Sequence, residues 1–178
     1  MNVKDIQKWI LAASCMLVIA TPRLALPHAV IDEGTATAGR FSFVSLRVTH
    51  GCGTSATREI RVKIPEGVTR VSAEYRADWE IEKKMRSLEE PYENEAGQLV
   101  TETIDEIVWR GGSLPDGYYG VFQFRAMIPD TPGEVLWFKT IQNCDEGAIR
   151  WIEVPTRPDQ NPYELKEPAP FLRVVASQ

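Results

Sequence analysis

The sequence predicts an all-β chain folded as an antiparallel sandwich. Short runs rich in Val, Ile, Phe and Thr alternate between apolar and polar residues. Clusters of Gly and Pro separate those runs, and no segment carries sustained helical periodicity with caps. Many short strands broken by turns describe two packed sheets.

The elements follow in order. Residues 41–48 are rich in Phe and Val. Residues 58–64 alternate cleanly, with Ile60, Val62 and Ile64 on one face and charges on the other. Pro65, Glu66 and Gly67 form a turn. Residues 68–75 and 79–85 read as strands. Residues 87–97 hold Glu89, Glu90, Glu93 and Glu95 with Pro91, Asn94 and Gly97, which predicts an exposed acidic loop or hairpin tip. A strand returns over 99–109 and ends at Gly111 and Gly112. Pro115, Asp116 and Gly117 turn the chain into a strand over 119–128, with Phe122, Phe124 and Ala126 on one face. Pro129 to Gly133 turns it again, into 134–142. Residues 148–154 are the last strand. From Pro155 the chain holds five prolines, which keep a segment out of central strands. Residues 156–178 are therefore expected to be an extended or disordered tail, and residues 28–155 the folded domain.

Residues 1–27 fit an export signal. Lys4 and Lys8 give a cationic start, and residues 9–20 form a charge-free run of 12 that takes in Cys15. A bilayer span needs about 20 apolar residues, so this run is too short to cross. A buried amino-terminal helix is the alternative. No later run reaches spanning length, so no membrane span is expected in the remainder, and a periplasmic or secreted location is. Without residues 1–27 the chain carries 17 basic and 24 acidic residues. That balance argues against nucleic acid, whose binding needs basic patches.

Cys52 and Cys144 remain beyond the signal, 92 residues apart. An even pair in an exported chain favours a disulfide. Thiolate ligation of copper(I) or zinc is the functional alternative. The chain has two histidines, His28 and His50. His28 opens the domain and is a candidate metal ligand. If export leaves it as the first residue, its α-amine and Nδ1 can chelate one ion together. His50, in Thr49-His50-Gly51-Cys52, reads either as a loop residue bonded to nearby backbone or as a second ligand. Hydrolase, phosphate-loop, metalloprotease and dinucleotide motifs are missing, and no enzyme activity is expected.

A set of landmarks carries a resemblance. His28-Ala29-Val30 comes first, then Leu46-Arg47-Val48-Thr49-His50-Gly51-Cys52-Gly53. Arg61-Val62-Lys63-Ile64-Pro65-Glu66-Gly67-Val68 follows. Later come Val108-Trp109-Arg110-Gly111-Gly112, Phe122-Gln123-Phe124-Arg125 and Gln142-Asn143-Cys144-Asp145-Glu146-Gly147, leading to Trp151. Together they resemble the YcnI-like family of bacterial exported copper-binding domains, over residues 28–155. The resemblance implies an immunoglobulin-like or cupredoxin-like sandwich. It implies Cu(II) held by the amine and imidazole of His28, by a carboxylate, and beside a tryptophan. Trp151 is the implied tryptophan and Trp79 its rival. The family pattern places glutamate seven residues after the histidine, where this chain has Thr35, so Asp32 and Glu33 become the candidate carboxylates. Copper import or chaperone proteins are the implied partners, and copper trafficking or homeostasis the implied role. The alternative is a metal-free sandwich that serves as a scaffold or adhesion module for a protein partner.

Overall fold

The computed structural model describes residues 28–177. Residues 1–27, expected to be an export signal and including Cys15, lie outside the described residues. The described residues form twelve strands: β1 (Val30–Ile31), β2 (Thr35–Thr37), β3 (Phe41–Val48), β4 (Thr57–Lys63), β5 (Thr69–Ala73), β6 (Glu80–Glu93), β7 (Leu99–Leu114), β8 (Gly120–Met127), β9 (Val135–Trp137), β10 (Thr140–Cys144), β11 (Ala148–Trp151) and β12 (Phe171–Val175). One 3₁₀ turn, Pro162–Glu164, lies between the last two.

One sheet has the order β1-β3-β8-β5 and a second the order β11-β10-β4-β7-β6. A small third sheet has the order β2-β12-β9. The pairings are antiparallel except for β2 with β12. Alternation decides which side chains meet. Leu46 pairs with Phe122 and Val44 with Phe124 across β3 and β8. Ile60 pairs with Trp109 and Val62 with Ile107 across β4 and β7. All eight side chains are buried, and the two sets meet where Phe122 packs 5.5 Å from Trp109. The expected inward faces of 58–64 and 119–128 are thus the observed ones. This is the antiparallel sandwich that the turn spacing predicted.

Four departures have physical causes. The acidic stretch expected as a loop stays in strand to Glu93 and turns only at Asn94, whose Oδ1 accepts from the backbone of Ala96 and Gln98. Its carboxylates face solvent, and ladder pairing needs only backbone. β7 runs through the glycine pair to Leu114 because Gly112 lies under Trp79, where an added Cβ would come within 2.2 Å of the indole. The run 134–142 divides, since β9 joins β12 whereas β10 joins β4. Phe138, between them, is buried.

The fourth departure corrects the tail. Its end is β12, the middle strand of the third sheet, pairing with β2 on one side and β9 on the other. Leu172 and Val174 are buried in the common core. The prolines stop at Pro170, and the five residues after it alternate Phe-Leu-Arg-Val-Val, a strand pattern that the proline count overshadowed. The folded domain therefore extends past residue 155.

Candidate metal site

β11 is the edge strand of the five-stranded sheet, and Trp151 closes it. Trp151 pairs with Thr140 on β10, and Gln142 lies two residues further along the same face. The indole Nε1 donates to Gln142 Oε1 at 3.0 Å. Gln142 is fully buried, and its amide nitrogen donates to the His50 carbonyl at 2.7 Å and to Thr57 Oγ1 at 2.8 Å. Because an indole N–H only donates and a carbonyl only accepts, this network fixes the amide orientation. One buried glutamine therefore ties Trp151 to the loop that carries His50.

That loop is held from several sides. Cys52 and Cys144 form a disulfide, with Cα atoms 6.0 Å apart. The Gly51 amide donates to Asp116 Oδ1 at 3.0 Å. Cys52 and Ser55 exchange backbone hydrogen bonds at 3.1 and 3.2 Å. Gly51 is required by close approach, since a Cβ there would sit 2.1 Å from the Ser55 carbonyl oxygen. The His50 Nδ1 lies 2.5 Å from the Gly51 carbonyl oxygen.

His28 arrives at the same place from the opposite end of the domain. Its ring is 6.0 Å from Trp151 at 72°, and His50 is also 6.0 Å from Trp151, at 78°. Tyr163, in the 3₁₀ turn, stacks on His28 at 6.3 Å and 14°. Asn161 caps that turn by accepting from the Tyr163 amide. The His28 Nε2 is shielded from solvent and has no hydrogen-bond partner. Burial lowers the proton affinity of this ring below that of an ordinary histidine, and His50 lowers it further. Both effects favour neutral imidazole, the form that ligates metals.

The remaining candidates fall apart from this cluster. Glu33 accepts from the Ser45 amide at 3.0 Å and from Ser45 Oγ at 2.6 Å. Asp32 pairs with Arg47 at 2.9 Å. Both carboxylates are engaged along β3, and among the described residues no three His, Cys, Asp or Glu side chains converge. The carboxylate expected beside His28 is not gathered there. Trp79 packs against Phe122 at 5.0 Å in the core, so Trp151 is the tryptophan beside the histidines. Two neighbours had no role in the sequence reading. Gln142 was visible only as part of a motif, and Tyr163 lay within the supposed tail.

This edge sets two imidazole rings, one with a buried and unpartnered Nε2, against an indole. No helix of the described residues is long and apolar enough to cross a membrane.

The family described as "Domain of unknown function (DUF1775)", which includes the YcnI-like proteins, matches residues 28–174. No curated protein matches the chain. Among solved structures, the chain is similar to one described as "Crystal structure of an uncharacterized protein from Nocardia farcinica reveals an immunoglobulin-like fold". The identity is 22%, the alignment covers 83% of this chain and 98% of that one, and the TM-score is 0.60. At that identity the likeness speaks to the fold alone.

Proposed function

The chain belongs to the DUF1775 family, and on that footing we propose that it is an exported copper(II)-binding domain anchored by His28. The observation that carries this reading is the His28 Nε2, out of solvent and without a partner beside Trp151. A buried polar nitrogen left unpaired costs about 1–3 kcal/mol, so its retention calls for a ligand. Copper(II) accepts neutral imidazole readily and stands at the top of the divalent affinity order.

The residues of the chain divide the work. Trp151 and Tyr163 hold the ring of His28. Gln142 holds Trp151. His28 ligates through its unpartnered Nε2; where export leaves His28 as the first residue, its α-amine and Nδ1 offer a six-membered chelate as the other arrangement. Asp32 and Glu33 are left to Arg47 and Ser45 in this reading. The role is copper trafficking or homeostasis outside the cytoplasm, with copper import or chaperone proteins as partners.

Cu(II) titration of the exported protein tests this. Copper bound at His28 quenches Trp151 fluorescence, with saturation at one equivalent, and His28→Ala abolishes the quenching. Equal uptake by wild type and His28→Ala refutes the reading, as does an absence of uptake by either. Amino-terminal sequencing of the same material shows whether the amine is available.

A further inference from the structure

Strand alternation turns half of the third sheet away from the core. Leu136, Leu172 and Val174 are buried inward, so Val135 and Trp137 on β9 and Phe171 and Arg173 on β12 stand on the outer face. Register sets Arg173 opposite Val135, and Trp137 opposite Phe171, whose rings lie 5.0 Å apart. Residues between Val154 and Pro162 close over this face, and the two together line a cavity of about 370 Å³. Ligand sites in proteins usually measure about 300–1,000 Å³, so this one suits a small molecule. The covering segment is stiff, because Pro155, Pro158 and Pro162 have fixed φ angles and no N–H. It is pinned at Glu153, whose amide donates to the Glu167 carbonyl at 3.0 Å and whose carbonyl accepts from the Ala169 amide at 2.8 Å.

The charge of the cavity runs against that of the chain. The sequence has 25 acidic and 20 basic residues, yet the charged residues that line the cavity are Arg157 and Arg173. The guanidinium of Arg173 lies 5.4 Å from the centre of the Phe171 ring and pairs with no carboxylate among the described residues. Arg157 meets Asp159 at 3.6 Å with both side chains largely exposed, a pair that water screens. Gln160 accepts from the Thr156 amide through Oε1 at 3.0 Å, which leaves its NH₂ end as a donor. Trp137 and the three prolines supply apolar wall.

We propose that this cavity is a binding site for a small carboxylate with an apolar, ring-sized body. The guanidinium groups of Arg157 and Arg173 take the carboxylate, since the planar fork of arginine matches its two oxygens. Trp137 and the prolines take the body, from which water is displaced. Neither half of such a ligand suffices alone. A bare inorganic anion leaves the apolar wall unused, and a neutral ring leaves two cations unmatched. A free small acid and the C-terminal residue of a peptide share this chemistry. Neither histidine lines the cavity, so the inference stands independently of the copper reading.

The test titrates metal-free protein with benzoate and follows amide and indole N–H resonances by NMR. Saturable shifts at the Trp137 indole N–H are expected, with one equivalent bound. Benzamide, the neutral counterpart, and inorganic phosphate, which has no apolar body, are each expected to bind at least about tenfold more weakly. Arg157→Gln and Arg173→Gln each weaken benzoate by about tenfold, and the double variant removes its binding. Both arginines are exposed, so the fold is retained, and unchanged resonances of the buried Trp109 verify this. A peptide ending in a free phenylalanine carboxylate separates the two sources, with its amidated form as the neutral control. Tighter binding by the free-ended peptide than by benzoate assigns the cavity to a chain terminus, and weaker binding assigns it to a small acid. Equal binding of benzamide or of phosphate overturns the inference. So does unchanged affinity in the double variant, or an absence of saturation at millimolar benzoate.

Discussion

The outer face of the five-stranded sheet and its β11 edge solve the same problem in opposite ways. On the outer face carboxylates and cations meet across the ladder. Glu106 accepts from Arg61 at 3.1 and 3.0 Å and from Lys84 at 2.6 Å, and Lys63 reaches Asp105 at 2.6 Å. Register places Lys84 directly opposite Glu106, whereas Arg61, opposite Val108, and Lys63, opposite Glu106, reach Glu106 and Asp105 from neighbouring positions. At the β11 edge the chain gathers two imidazoles and an indole and leaves the His28 Nε2 unpaired. A surface with all its partners present is complete by itself. An edge with a buried nitrogen unmatched is complete only with something added.

The disulfide breaks this comparison most strongly, since it belongs to the edge and not to the ladder. Linking residues 92 apart removes loop entropy from the unfolded chain, worth about 4 kcal/mol in the chain-entropy model. Reduction, or Cys52→Ala with Cys144→Ala, is expected to lower stability by that amount in denaturant titration. It also frees the His50 loop, so copper affinity falls with it. A loss below about 1 kcal/mol would mean that the reduced chain keeps its ends together by other contacts.

Gln142→Leu acts on the same region with a smaller expected effect. The leucine fills similar space but leaves the Trp151 N–H and the His50 carbonyl without partners. Unsatisfied buried groups of this kind cost about 1–3 kcal/mol in total stability. Urea unfolding measures the loss, and a weaker Cu(II) response in the variant links the network to the site. A variant with unchanged stability would show that the glutamine does not organise this edge.

Much of the fold was legible because alternation reports directly on burial. Ile60, Val62, Phe122, Phe124 and Ala126 could be assigned to the core from period alone, and they are buried. The Cys52–Cys144 pair was legible from the even number of cysteines beyond residue 27 and the expectation of export. What was illegible depended on distance in sequence. β1 and β2 are two and three residues long, too short to show a period. β12 was hidden behind prolines that end one residue before it. At the site, His28, His50 and Trp151 could each be singled out by residue type. Their meeting at one indole depends on the topology that places the end of β11 beside His28 and the His50 loop. The capture of Glu33 by Ser45 and of Asp32 by Arg47 depends on the β1–β3 register, which no local pattern reveals.

The smallest effect comes from the ladder and sharpens the contrast. Burial raises the affinity of Glu106 for a proton, but the hydrogen bonds and charges of Arg61 and Lys84 outweigh it, so the carboxyl is held below the ordinary glutamate value of 4.5. A carboxyl with a depressed folded-state value adds stability that is complete above the unfolded value, and that stability is lost as pH falls through the folded one. Wild type is therefore expected to lose stability below about pH 4.5. Glu106→Gln removes the ionic partner of two cations near the surface, at a cost of about 1 kcal/mol at neutral pH, and flattens the acid limb of the stability profile. Copper uptake should be unchanged in this variant, because nothing on the ladder reaches the β11 edge. A copper affinity that shifted with Glu106 would join the two regions into one electrostatic unit, and the independence of the edge would have to be abandoned.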